Sequence, residues 1–168
     1  MQPMRRSSFS EKSCSVAQCL EIVGEWWSFL IIRDAFLGVR RFDDFRARLG
    51  ISRNILTLRL KRLTEHGILQ QVAYSEHPPR YEYRLTDKGR DLWHVLTAMR
   101  QWGDKWAAPD GPPLITTHTR CGQLSETVAV CSACGEPLDP RELTGAAGPG
   151  AAPGAFDRTA IGASLTGV

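Results

Sequence analysis

Apolar positions along this chain keep a helical period for most of its length and switch once to strand alternation. After Cys14, the residues Val16, Ala17, Leu20 and Val23 mark one face of a first helix, with Ser13 placed to cap its start. Gly24 interrupts. Trp27, Leu30, Ile31, Ala35 and Phe36 then line a second helix that Gly38 stops. The stretch Arg41 to Leu49 puts Phe42, Phe45 and Leu49 on one side and breaks at Gly50. The run from Ser52 to His66 puts Leu56, Leu60 and Leu63 on one side and breaks at Gly67. The period then falls to two. Gln70 to Tyr74 and Tyr81 to Leu85 are rich in aromatic and β-branched residues, with Tyr81, Tyr83 and Leu85 alternating against Glu82 and Arg84. Pro78-Pro79 cannot supply ladder donors and falls at the tip of the hairpin. Thr86 opens a long helix carrying Leu92, Leu96, Met99, Trp102 or Gly103, and Trp106, which Pro109 and Pro112-Pro113 close.

Two short helices joined through Gly50-Ile51, followed by a hairpin and a long helix, make the sequence form of a winged helix-turn-helix. Gly50 permits the sharp turn, Ile51 pins the junction into the core, and Ser52 caps the second helix. Opposite its leucines lie Arg53, Asn54, Thr57, Leu58 and Lys61. Arg pairs with guanine O6 and N7, Asn with adenine N6 and N7, and Thr or Leu touches a thymine methyl. Lys61 and Arg62, a turn further on, are placed for phosphates, and Arg80 near the hairpin tip for the flanking groove or backbone. Charge points the same way. The chain as a whole carries +3, whereas between Arg40 and His66 eight cations face three carboxylates, a local surplus of +5. For any one of these residues a solvated helix face is the ordinary alternative; turn, cap, basic face and following hairpin together favour DNA.

The run CSVAQCLEIVGEWWSFLIIRDAFLGVRRFDDFRARLGISRNILTLRLKRLTEHGIL, followed by PPRYEYRLTDKGRDLWHVLTAMRQWGDKW, resembles the HxlR-type winged helix-turn-helix transcriptional regulators from Cys14 to about Trp106. The resemblance rests on Cys14, the Gly24–Trp27 junction, Arg41-Phe42, Leu60 to Gly67 and the PPRYEYRLT segment. It implies a dimeric one-component regulator of a near-palindromic operator, with a ligand and a sign of regulation that vary between members. The residues also argue for a dimer. All five tryptophans, Trp26, Trp27, Trp93, Trp102 and Trp106, fall in the second and the long helix. Two or three belong to a core, and the remainder form a patch too large for a monomer to expose.

Two further features carry chemistry. His118-Thr-Arg-Cys121-Gly122 and Cys131-Ser-Ala-Cys134-Gly135 are two ligand steps separated by nine residues, Gly122–Val130, that suit a hairpin. Together they offer a tetrahedral Cys3His site for a structural zinc, in a unit with few large apolar side chains to hold it otherwise. A Cys131–Cys134 disulfide or a lapsed site are the alternatives. Four protein ligands leave no open position for catalysis. Cys14 stands at a helix start, where amides and dipole favour thiolate. It is a candidate redox switch in the manner of some HxlR-type proteins, or simply a small packed hydrophobe at the dimer edge.

The expected organisation is therefore a flexible arm over 1–12 and a winged helix-turn-helix domain for DNA binding and dimerisation over 13–108. A zinc-ribbon-like unit over 114–143 and a disordered tail over 144–168 complete it, in a mainly α fold with one small hairpin. The tail holds six Gly, seven Ala and two Pro in twenty-five residues. With 42% apolar residues in 168, a folded core is expected. No run approaches the roughly eighteen apolar residues of a membrane span. The odd cysteine count and the absence of an apolar leader behind Met1–Ser8 point to a cytoplasmic protein. No phosphate-binding glycine loop, nucleophile elbow or paired carboxylates suggest an enzyme. The functional expectation is a dimeric DNA-binding regulator, a repressor answering a small molecule or a redox signal. A winged-helix protein-interaction module, or a metal or redox sensor acting through the Cys3His unit, is the alternative.

Overall fold

The computed structural model of the chain describes residues 8–152. Its helices are α1 (Ser15–Val23), α2 (Trp26–Phe36), α3 (Phe42–Leu49) and α4 (Arg53–Glu65). An antiparallel pair comes next, β1 (Leu69–Glu76) and β2 (Pro79–Leu85), and then α5 (Asp87–Asp91) and α6 (Trp93–Trp106). A 3-10 turn at Pro140–Glu142 is the only regular element after α6 among the described residues. This is the winged helix-turn-helix order expected from the apolar pattern.

The core is small and comes from α1 to β1. Val23, Ile31, Ile32, Phe45, Ile51, Leu56, Leu60, Leu63, Ile68 and Leu69 are buried together. One carboxylate is buried with them: Asp34 of α2 accepts hydrogen bonds from Arg33 at 2.8 Å and from Arg48 Nε of α3 at 3.4 Å. A buried charge needs such partners, and here they tie α2 to α3.

Several expectations are corrected in detail. Ser13 does not cap α1; Cys14 is the N-cap, and no side chain bonds to the first turn. The long helix from Thr86 is two helices. Thr86 Oγ1 caps α5 by accepting from Gly89 N–H at 3.1 Å, and the chain bends at Leu92 before α6. Helix α5 docks tightly: a Cβ on Gly89 would stand 2.2 Å from the Ile68 carbonyl oxygen, so only glycine lets α5 lie against the start of β1. Pro79 is not in the turn but begins β2, opposite Glu76. Residues 8–12 of the expected flexible arm are held. Gln18 Nε2 donates to the carbonyls of Phe9, Ser10 and Lys12, and Phe9 N–H donates to Glu21. The rest of the arm, 1–7, and residues 153–168 of the tail lie outside the described residues.

The zinc-ribbon-like unit takes a form other than the expected one. The stretch Gly122–Val130 is not the hairpin; each ligand step sits inside a tiny one, closed by the bridges Thr117–Leu124 and Val130–Pro137. The tryptophans divide much as expected. Only Trp27 packs on the core and Trp93 leans on Phe36 with ring centroids 5.2 Å apart. Trp26, Trp102 and Trp106 are exposed by 88%, 65% and 66%.

Candidate nucleic-acid interface

Helix α4 is divided lengthwise. Leu56, Leu60 and Leu63 are fully buried, while Arg53, Asn54, Thr57, Leu58 and Lys61 are exposed on the remaining surface. The chain enters α4 through Gly50, at φ +65°, and buried Ile51. Ser52, itself exposed, then accepts a hydrogen bond on Oγ from Ile55 N–H at 3.3 Å. That bond satisfies one of the amides every helix start leaves open and fixes the first turn, where Arg53 and Asn54 stand.

The arginines of this helix divide into two groups. The Arg53 guanidinium lies over the Phe42 ring, 5.2 Å from its centroid, and 3.9 Å from Asp43 of α3. Both acid and cation are exposed, so the contact orients the guanidinium at the corner of the two helices and leaves it available to a ligand. Lys61 is likewise exposed, 3.7 Å from Glu65 one turn on. Arg62 is placed otherwise than expected. Its Nη2 donates to the Glu21 carbonyl and stands 3.2 Å from the Glu21 carboxylate, with the side chain mostly withdrawn from solvent. Arg59 does the same with Glu25 at 2.9 Å. These two cations brace α4 against the α1–α2 corner, and the basic surplus on the surface is smaller by that amount.

The hairpin stands beside α3. Arg80 is exposed near its tip, opposite Ser75, just past an irregularity in the ladder. A cleft of about 500 Å³ separates the wing from the start of α3, lined by Arg41, Phe42, Asp43, Tyr74, Arg80 and Tyr81. In it the Arg41 guanidinium stacks on Tyr74, 4.8 Å from the ring centroid. Arg41 counted toward the charge surplus but had no assigned role. No periodicity relates positions 41 and 74, so only the fold shows that Arg41 and Arg80 share one edge, with Asp43 and Asp44 also lining the cleft.

The HxlR-like helix-turn-helix family profile matches residues 22–111. The chain belongs to the HxlR family. It is 45% identical over 137 residues to Rv3095 of Mycobacterium tuberculosis, named an uncharacterized HTH-type transcriptional regulator, covering 81% of this chain and 87% of that one. Among solved structures, PA1607, described as a candidate transcription factor, superposes with a TM-score of 0.73 at 41% identity over 82% of this chain and 96% of that one. The oxidized form of the redox regulator HypR aligns at 33% identity and TM-score 0.51, over 55% of this chain and 96% of its own. This HxlR protein is thus a transcriptional regulator with a winged helix-turn-helix for DNA. The first two likenesses extend past the family domain, whereas the HypR likeness covers 55% of the chain.

The remaining candidate residues lie apart from the DNA face. Cys14 is exposed at the extended N-cap of α1, in a cleft it shares with Lys12, Val16, Gln18 and the stretch Gly148–Ala151. His118 Nδ1 and Cys121 Sγ are 3.4 Å apart. The Cys131 thiol is drawn below its ordinary pKa by the backbone N–H groups of Cys134 and Ala133, with the Cys134 side chain adding to them. After each pair, Gly122 N–H and Gly135 N–H donate to the carbonyls of His118 and Cys131. No single helix among the described residues is long and apolar enough to cross a membrane.

Proposed function

We propose that this regulator acts as a homodimer that sets two copies of α4 into successive major grooves of one operator, about 34–36 Å apart. The observation that carries the reading is the lengthwise division of α4. A helix with three leucines sealed in the core, a capped first turn and exposed Arg53, Asn54, Thr57, Leu58 and Lys61 is presented for base edges. Arg80 on the wing and Arg41 beside it supply flanking backbone contacts. The second copy is argued from α6. Thr97 is its only buried residue, while Val95, Met99, Trp102 and Trp106 are exposed, as are Val16 and Leu20 of α1 and Trp26 at the start of α2. Apolar surface of this extent is what a twofold partner covers.

Repression is the regulatory sign that needs the fewest further parts, since a dimer seated across a promoter blocks access by occupancy alone. The signal is a small molecule or an oxidant. The name of HypR as a redox regulator and the exposure of Cys14 at the start of α1 support oxidation at Cys14 as the input. The test is sedimentation of the purified chain together with footprinting on its own promoter region, in reduced and peroxide-treated samples. A dimer protecting two half-sites one turn apart is expected, with protection altered by peroxide in the wild type and unaltered in Cys14→Ser. A monomer indifferent to duplex DNA overturns the reading, and a Cys14→Ser variant with the wild-type response removes its redox part.

A further inference from the structure

His118, Cys121, Cys131 and Cys134 lie in the part of the molecule that has no core: none of residues 114–143 is buried. Yet the two ligand steps are folded as the same turn. In the first, His118 N–H donates to the Gln123 carbonyl at 2.9 Å and Gly122 N–H donates to the His118 carbonyl at 2.8 Å. In the second, Cys131 N–H donates to the Glu136 carbonyl at 2.8 Å and Gly135 N–H donates to the Cys131 carbonyl at 2.8 Å. Each turn has its glycine at the same place with positive φ, +71° and +80°. A bridge closes each at corresponding residues, Thr117 with Leu124 and Val130 with Pro137. Local turn propensity does not repeat itself to this degree in a segment with no core unless both turns serve one purpose.

The donor chemistry states that purpose. His118 Nδ1 and Cys121 Sγ are 3.4 Å apart. Two ligands on one tetrahedral cation, at about 2.0 Å for nitrogen and about 2.3 Å for sulfur, stand about 3.5 Å from each other. Among the described residues the two pairs are not gathered into one cluster of three or more ligands. Between the bridges at Leu124 and Val130, residues 125–129 belong to no regular element and none is buried, so bringing the two turns together breaks no helix, strand or core contact.

We propose that the two turns close on one zinc-class divalent cation, held by His118 Nδ1 and the thiolates of Cys121, Cys131 and Cys134, as a structural site that braces residues 114–143 against α6. Binding releases the three thiol protons to solvent and leaves the imidazole neutral. The brace has its footing on α6 already. Arg100, held by Asp104 at 3.0 Å, donates to the Leu114 carbonyl at 2.9 Å, and Thr127 N–H donates to Gln101 Oε1 at 3.2 Å. A Cys131–Cys134 disulfide would leave the matching first turn, with its histidine turned onto a thiol, without a reason.

The experiment uses the full chain purified under reducing conditions. Zinc content is measured after exposure to a chelator of moderate strength, and the metal-free chain is titrated with Co²⁺ while free thiols are counted. One tightly held zinc per chain is expected, with a cobalt spectrum of tetrahedral intensity carrying thiolate charge-transfer bands. Occupancy should protect three of the five thiols from alkylation. Cys121→Ser, Cys131→Ser, Cys134→Ser and His118→Ala should each weaken metal by more than about 100-fold, beyond what loss of a supporting partner costs. His118→Cys should retain it, and Cys14→Ser should be unchanged. The cobalt spectrum and thiol protection of the unaltered chain decide the matter even if a variant folds poorly. A chain with no retained metal and a weak octahedral cobalt spectrum overturns the proposal. So does a Cys131–Cys134 disulfide under these conditions, or protection of Cys14 and Cys19 instead.

Discussion

Arg62 separates a reading from spacing alone from a reading of the folded chain. Position along α4 put it on phosphate; the structure turns it toward α1, donating to the Glu21 carbonyl and carboxylate. Arg62→Ala deletes both bonds and leaves the Glu21 carboxylate, 23% exposed, with the Phe9 N–H as a remaining donor. A hydrogen bond to a charged group contributes about 1.5–3 kcal/mol when buried. Both side chains keep about a quarter of their exposure, and solvent screening reduces the figure to about 1–2 kcal/mol. With a urea dependence of roughly 2 kcal/mol per molar, the midpoint of unfolding should fall by roughly 0.5–1 M at fixed protein concentration. Operator binding should show a different signature. Anisotropy of a labelled operator, selected in vitro with the unaltered chain, gives the slope of log K against log salt, which counts phosphate contacts. Arg62→Ala should keep the wild-type slope even if a loosened α4 lowers affinity, whereas Lys61→Ala should reduce the slope by about 0.9 and leave the urea midpoint in place. An Arg62→Ala chain of unchanged midpoint whose slope drops by about 0.9 would refute the assignment of Arg62 as a brace.

Arg53→Ala should relax base preference at one operator position and cost about 1–3 kcal/mol on the preferred sequence, measured by competition with single-base variants. A loss equal on every sequence would move Arg53 from the reading face to the backbone. Gly89→Ala places a Cβ 2.2 Å from the Ile68 carbonyl oxygen, forcing α5 from β1 at a cost of about 1–3 kcal/mol. The thermal midpoint should fall by roughly 3–10 °C. An unshifted melt would mean that α5 does not approach β1 as closely as described.

The winged helix-turn-helix was legible because its signals are local. Leucines at 56, 60 and 63 need one buried face, Gly50 needs its positive φ, and Ser52 caps the helix that holds those leucines, all within fifteen residues. Pairings across the chain could not be read from the pattern. Arg59 and Arg62 look like any exposed cations of an amphipathic helix until Glu25 and Glu21, more than thirty residues earlier, are brought beside them. Asp34 sits in an apolar run and gives no warning that it is fully buried beneath Arg33 and Arg48. The tight docking of α5 was hidden for the same reason: Gly89 costs a helix only a little by propensity, and its close approach to Ile68 exists only once α5 has docked on β1.

The apolar stripe of α6 is the instructive case, because the pattern identified part of the exposed face and left open what it packs against. Periodicity reports that a face of a helix avoids water; it does not say which molecule covers it. Of the expected stripe, Leu92 and Leu96 are half-buried while Met99, Trp102 and Trp106 remain exposed, joined by Val95, which the pattern did not include; the other half-buried positions of the helix include Arg100, Gln101 and Asp104. Those polar residues are the ones that hold the C-terminal unit through Leu114 and Thr127. Helix α6 therefore has two faces, an exposed apolar one, which the dimer proposed above would cover, and a polar one engaged with the cysteine-bearing extension.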